Sequence, residues 1–323
     1  MLIKTSYLIL GVVFFAATWL FPALNHYASG TAVLAGGLFA WFLKNPFQEL
    51  SHRLVPTFLG LAIIGMGFGM DLQRVFEAGA EGLFYTFVGI LLGLGLGILL
   101  GKKLKLNRNT ALLISVGTSI CGGSAIAAAA PVLKAKAHEI ALATAIVFLL
   151  NAVALLIFPP LGHLLGLDQT QFGIWAALAI HDTSSVVGAT MQYGETALEI
   201  GTTIKLARAL WIIPVSLFLA WLVRRDAPAA ESEKHRFKLR VPWFIPGFIL
   251  AAALITAVPT LKGTGLVLQD ISKHLMLLTL FMIGTNLDFG KMRELGLKPI
   301  LHGVILWVIL GTLWGGAVCF NLV

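Results

Sequence analysis

Charge is what this chain has least of. Only 12% of its 323 residues are Asp, Glu, Lys or Arg, against about 25% in a soluble globular domain. With 58% hydrophobic residues, too few polar side chains remain to cover a surface facing water. A soluble enzyme or scaffold is excluded, and the chain reads as an all-α polytopic membrane protein. Cysteine is nearly absent, and Cys121 and Cys319 both lie in apolar surroundings, so no disulfide framework is expected. Long polar stretches are missing as well. The longest, Arg224 to Arg240, has the size of a loop, so residues 1–323 are expected to form one membrane domain. No small-residue cleavage site follows the first apolar run, 6–24, which reads as a span rather than a signal peptide. There is no His/Cys cluster with ligand spacing and no phosphate loop with its lysine. No metal, cofactor or catalytic residue is therefore assigned.

The charge that is present is unevenly placed. Lys and Arg exceed Asp and Glu by 23 to 15, a net +8, but the basic residues sit in short clusters between apolar runs. That is the pattern of membrane loops, not of a nucleic-acid face. A membrane helix needs roughly 20 apolar residues. Candidate spans are 6–24, 30–43, 55–70, 82–101, 140–162, 199–223, 242–259, 275–287 and 299–321, and two interrupted segments, 109–133 and 171–198, bring the expectation to about 9–11 helices. The basic clusters Lys102–Arg108 and Arg224–Arg240 are expected on the cytoplasmic side, with the N-terminus there too.

Two internal similarities emerge when the sequence is slid along itself. A shift of 217 places Gly30 on Gly247, Gly67 on Gly284, Asp71 on Asp288, Glu77 on Glu294 and Gly79 on Gly296, so 24–101 resembles 241–318. A shift of 60 places Ile120 on Ile180, Ser124 on Ser184, Ala129 on Ala189 and Glu139 on Glu199, so 111–160 resembles 171–220. If the two interrupted segments enter the membrane and return, the repeats acquire opposite orientations. Lys134 and Lys136 then stay with the basic side, and the loop around Asp168 falls on the other. Hairpins or broken helices are therefore expected at both places. Gly89, Gly93, Gly97 and Gly101, four apart, form a smooth ridge for close helix packing.

The interrupted segments carry the candidate chemistry. Gly117-Thr118-Ser119-Ile120-Cys121-Gly122-Gly123-Ser124-Ala125 sets glycines and hydroxyls in mid-run, and irregular backbone at that depth is tolerated only when buried or lining a cavity. A half-helix starting near Ser124 would aim free N–H groups and a positive dipole end at an anion. The counterpart is His181-Asp182-Thr183-Ser184-Ser185 before a second short helix, where Asp182 and Ser185 could equally be plain helix caps. Lys205 and Arg208 lie about 9 and 13 Å into the span that begins at residue 199. Basic groups at that depth face a polar interior, and the arginine fork suits an oxyanion. Glu139 and Glu199 sit where a carboxylate stabilises a helix start. Asn151 and Pro214 mark a polar interior, and Asp288 closes another span.

These two motifs, Gly117 to Ile126 and His181-Asp182-Thr183-Ser184-Ser185-Val186-Val187-Gly188-Ala189, resemble the YeiH-type family of bacterial inner-membrane proteins over essentially the whole chain. Members are labelled conserved hypothetical proteins or sulfate exporters, and are grouped with cation–proton antiporters and anion transporters built from inverted repeats. In better-known relatives the broken helices lie far apart in sequence, whereas here one clear span separates them. The resemblance implies secondary transport of a small anion, such as sulfate, sulfite or a sulfonate. Thr118, Ser119, Gly122, Gly123, Ser124, Thr183, Ser184, Ser185, Lys205 and Arg208 are then the expected substrate contacts. His181, Asp182 and Asp288 are expected to couple a proton or a sodium ion. The partners are the anion, the coupling ion and the bilayer, with homo-oligomerisation left open. A sodium or potassium/proton antiporter acting through Asp182 and Asp288 is the alternative, and an intramembrane enzyme a remote one.

Overall fold

The computed structural model describes residues 25–43, 45–226, 242–287, 290 and 296–323. The expected first span 6–24, Asp288, Glu294 and the basic stretch 227–240 lie outside the described residues. What is described is entirely helical, as the apolar composition requires, because a helix satisfies its own backbone groups in lipid.

The helices are α1 (Asn25–Leu43), α2 (Gln48–Gly67), α3 (Leu72–Lys103), α4 (Arg108–Ser119), α5 (Gly123–Val132), α6 (Ala137–Leu164), α7 (Gln169–Ala179), α8 (Thr183–Tyr193), α9 (Glu195–Ala209), α10 (Ile212–Asp226), α11 (Phe244–Ala257), α12 (Lys262–Thr285) and α13 (Leu297–Cys319). Among the described residues, six stretches are long and apolar enough to cross a membrane: α2, α3, α6, α9 with α10, α12 and α13.

Both interrupted segments are re-entrant hairpins. Asn109, at the start of α4, donates its Nδ2 to Glu139 Oε2 at the start of α6, 3.3 Å away. Had α4 and α5 crossed in series, these two residues would lie at opposite membrane faces. Ile126 folds back against Gly117, where an added Cβ would meet its Cδ1 at 2.8 Å. In the second hairpin, Tyr193 at the end of α8 donates its hydroxyl to the Leu167 carbonyl just before α7, at 2.6 Å. Its ring also stacks on Phe172 with centroids 3.8 Å apart. The 28-residue α6, about 42 Å long, separates the two hairpins, so they enter from opposite faces.

The glycine ridge explains where the first hairpin rests. Cβ atoms at Gly93 and Gly97 of α3 would fall on the hydroxyls of Ser119 and Ser115, and one at Gly101 would meet Ala111 Cβ at 2.5 Å. Close approach of this kind drives helix association in lipid, where apolar burial contributes little. The ridge therefore belongs to the body that holds the hairpins, not to a separate remainder.

Two groups of helices result. One is built from α1, α2, α11 and α12, with α1 crossing α12 where Gly36 and Gly284 face each other. The other holds both hairpins between α3, α6, α9 and α13. They meet where α8 lies against α1 and α12, and where the Leu72 N–H donates to Thr256 Oγ1 at 2.9 Å. Tracing chain direction from these contacts, α1 to α3 alternate in the opposite sense to α11 to α13. The α4–α6 group likewise opposes α7–α10, giving inverted repeats. One face carries Lys102, Lys103, Lys105, Arg108, Lys134 and Lys136, and we call it the basic face.

Candidate functional site

The hairpin tips meet inside the bundle. A Cβ added to Gly122 would come within 3.4 Å of Asp182 Cβ and of Val147 Cγ1 on α6. Gly122 also sits at φ 68°, ψ −128°, a conformation that only glycine adopts without strain. The double glycine expected to break the helix thus has two separate reasons to be there: backbone shape, and the nearness of the opposite tip.

Four helix ends converge at this crossing. The carboxy-terminal ends of α4 and α7 present free carbonyls, carrying about half a negative charge each. Arg208 answers both. Its Nε donates to Ser119 O (2.9 Å), its Nη1 to Ala177 O (3.0 Å) and Leu178 O (2.6 Å), and its Nη2 to Thr118 O (3.3 Å) and Ser119 O (2.6 Å). A guanidinium has five N–H donors, so every one is on a backbone carbonyl and none is left for a ligand. Lys205, 0% exposed, donates to Ala177 O (3.3 Å) and Ile180 O (2.5 Å). Among the described residues, its third proton has no protein acceptor. The two deep cations expected to contact an anion are thus first of all fasteners of the hairpins.

The amino-terminal ends are treated differently. At α8, Asp182 caps the helix, accepting from the Ser184 N–H at 3.1 Å and from the Ser184 hydroxyl. Asn151 Oδ1 on α6 accepts from the backbone N–H groups of His181 (3.2 Å) and Asp182 (3.1 Å). At α5, no side chain caps the helix, and Gly123 is half-buried and Ser124 exposed at this end. The Ala125 N–H points at the Cys121 sulfur, and the Gly123 and Ser124 N–H groups have no side-chain acceptor among the described residues.

The remaining expected residues scatter around this crossing. Thr183, Ser184 and Ser185 are buried in the first turn of α8. Ser119 is buried with its hydroxyl against Gly93 of α3, so it faces packing while its carbonyl serves Arg208. The Thr118 and Ser119 hydroxyls and Asn151 Nδ2 are buried without a protein partner. His181 is 1% exposed and faces Trp307 across 6.4 Å between ring centroids. Apart from a poorly aligned approach to the Val147 carbonyl, neither of its ring nitrogens has a partner. Asp182 is half-buried. Among the described residues, no group of three or more His, Cys, Asp or Glu side chains is placed to hold a metal ion.

In the sequence Asn151 reads only as a polar interior residue. Its role in holding the second tip has one signal in the sequence, an amide in mid-span of an otherwise apolar helix.

No solved structure matches the chain. A UPF0324 membrane protein of Bdellovibrio bacteriovorus is 48% identical over 90% of this chain and 89% of its own length. One from Geobacter sulfurreducens is 44% identical over 87% and 88%, and one from Vibrio vulnificus is 45% identical over 88% and 90%. Residues 6–303 match the family described as "Conserved hypothetical protein 698". With nearly the whole chain aligned, it is a multi-pass membrane protein that belongs to the UPF0324 family, the YeiH-type family that its two motifs resemble.

Proposed function

We propose that this chain is a secondary transporter of a small anion, with its substrate site at the crossing of the two hairpin tips. The observation that carries the reading is the crossing itself: two hairpins from opposite faces, with the carbonyl ends of α4 and α7 already neutralised and the amino end of α5 uncapped. The four dipole ends cancel to a first approximation. Lys205 and Arg208 against Asp182 then leave about one positive charge in a water-poor interior, which favours an anion. The donors on offer are the first N–H groups of α5, the Ser124 hydroxyl and the third proton of Lys205. Discontinuous helices in transporters bind anionic groups in this way. The substrate class suggested by the family resemblance is a sulfur oxyanion such as sulfate, sulfite or a sulfonate.

Asp182 gives the proposal its coupling. An anion at the α5 terminus sits beside this carboxylate, and protonating Asp182 both removes the repulsion and raises the local charge by one. A proton therefore accompanies the anion. Alternating access moves the hairpin body, α3 included, against the α1–α2–α11–α12 group. His181 and Asp182 are not proposed as a base and its orienting carboxylate, because Asp182 is bonded to Ser184 and not to the imidazole.

A helical bundle in bacterial relatives points to the inner membrane, and the basic face is proposed to be cytoplasmic. The test of transport is flux of sulfate, sulfite and taurine in proteoliposomes, varying proton and sodium gradients one at a time. Anion flux that quickens on acidifying the side of uptake is expected. Silence with all three anions, together with proton movement on adding sodium, overturns the reading. That result would support the second one, a cation–proton antiporter, which is favoured by the half-buried Asp182 carboxylate at the tip and whose other acid, Asp288, lies outside the described residues.

A further inference from the structure

Away from the hairpin tips, on the face opposite the basic one, a cavity of about 240 Å³ separates the two helix groups. Glu195 and Leu198 of α9 line one wall, and Asp270, Lys273 and His274 of α12 the other. Lys273 reaches across it to Glu195, with Nζ 2.9 Å from Oε1. This ion pair joins the two bodies that the transport cycle must separate.

The partners are unequal. The Lys273 side chain is 22% exposed and the Glu195 side chain 84%. A mostly buried ammonium needs an anion beside it, whereas a carboxylate in water does not need the ammonium. Glu195 opens α9 directly after Gly194, whose φ of 155° and ψ of 171° suit glycine alone. Gln169 accepts from the Thr196 N–H at 3.0 Å, so the backbone of this junction is held and it is the exposed Glu195 side chain that can swing away. The other carboxylate in the cavity, Asp270, is itself 60% exposed and stands 3.9 Å from His274 Nδ1. His274 Nδ1 also lies 2.8 Å from the Asp270 carbonyl.

We propose that Lys273 is an anion-exchange site at the mouth of the protein. A small anion arriving in the cavity displaces Glu195 from Lys273, and in doing so releases the tie between the two helix groups. This rests on the anion-transport reading, and it assigns a place and a trigger for the first contact. Lys273, half-buried, is the one Lys or Arg in the lining, and Glu195 and Asp270 repel further negative charge, so the site takes only a small, compact anion that seats directly on the ammonium.

The test is residue-resolved acylation of lysines in purified protein in lipid nanodiscs, with sulfate, sulfite or taurine added at constant ionic strength. At least one of the three is expected to slow the acylation of Lys273 while leaving Lys262 and Lys298 unchanged. Glu195→Gln, which removes the internal competitor and keeps the shape, should lower the half-protecting concentration about fivefold, the factor for an exposed pair. Lys273→Gln should raise the half-saturating anion concentration for flux. Lys273 acylation indifferent to all three anions in both wild type and Glu195→Gln overturns the proposal. If flux is nonetheless present, the transport reading stands without this site. Protection without flux in proteoliposomes would keep the mouth site and overturn the transport reading instead.

Discussion

The first hairpin turns on Gly122 and Gly123, with no side chain capping the helix that leaves the turn. The second turns on His181 and Asp182, with Asp182 and Asn151 taking its backbone N–H groups. Position 60 residues on from Gly122 is Asp182, so the two tips are counterparts that have diverged. One has an open helix start and needs its backbone shape. The other has a closed helix start and needs its side chains. Both share one fastener on the carbonyl side, because α9 supplies Arg208 to each while α6 supplies no basic residue at the corresponding depth. A nearly symmetrical scaffold thus carries one uncapped helix start and one acid at its centre, which is what the proposed co-binding of an anion and a proton requires.

That difference is open to attack at several points. The largest effect is expected at Arg208. Substitution by Gln removes a charge bonded to both helix ends and should cost on the order of 3–5 kcal/mol. Thermal unfolding in detergent should show a large loss together with loss of flux, and Arg208→Lys, with three donors for carbonyls on two hairpins, should recover only part of it. A full-strength fold with selective loss of anion binding would return Arg208 to the substrate. Next comes Gly122→Ala, which should cost on the order of 1–3 kcal/mol from backbone strain and also push on Asp182. For the second tip, Asn151→Ala on α6 should cost about 1–3 kcal/mol by orphaning the His181 and Asp182 N–H groups. Equal tolerance of both changes would erase the distinction between a backbone-built and a side-chain-built tip.

Asp182→Asn should hardly change stability, since Asn caps a helix start as well as Asp does. Its signature is chemical: flux should lose its dependence on the proton gradient while anion binding persists. Anion transport that keeps its full acid dependence in this variant would remove Asp182 from coupling. The smallest effect is expected for Ser124→Ala, where one neutral hydrogen bond of about 1 kcal/mol should raise the half-saturating anion concentration roughly fivefold, with the melting temperature unchanged.

Much of this architecture was legible in the residues. The glycine and hydroxyl interruptions mark both hairpins, the basic residues at 102–108 and 134–136 do share one face, and the two shifts pair helices that run in opposite senses. Less legible was what the deep cations touch. Arg208 looked like a ligand group because its partners, the carbonyls of Thr118, Ser119, Ala177 and Leu178, belong to the backbone and leave no mark in a sequence. The division into two bodies was equally hidden. The ridge from Gly89 to Gly101 announces close packing but not with which neighbour, and it is the contacts of Gly93, Gly97 and Gly101 with Ser119, Ser115 and Ala111 that attach it to the first hairpin.

The guanidinium that serves both hairpins also sets an order of events during synthesis. Arg208 follows Val132, the last residue of the first hairpin, by 76 residues. At roughly 5–20 residues per second, the ribosome needs about 4–15 s to deliver it. Through that interval the Thr118 and Ser119 carbonyls have no partner, and an unpaired carbonyl in hydrocarbon costs several kcal/mol. The first hairpin must therefore wait near water or the insertion machinery, and its final seat in the membrane is a post-insertion event triggered by the arrival of α9.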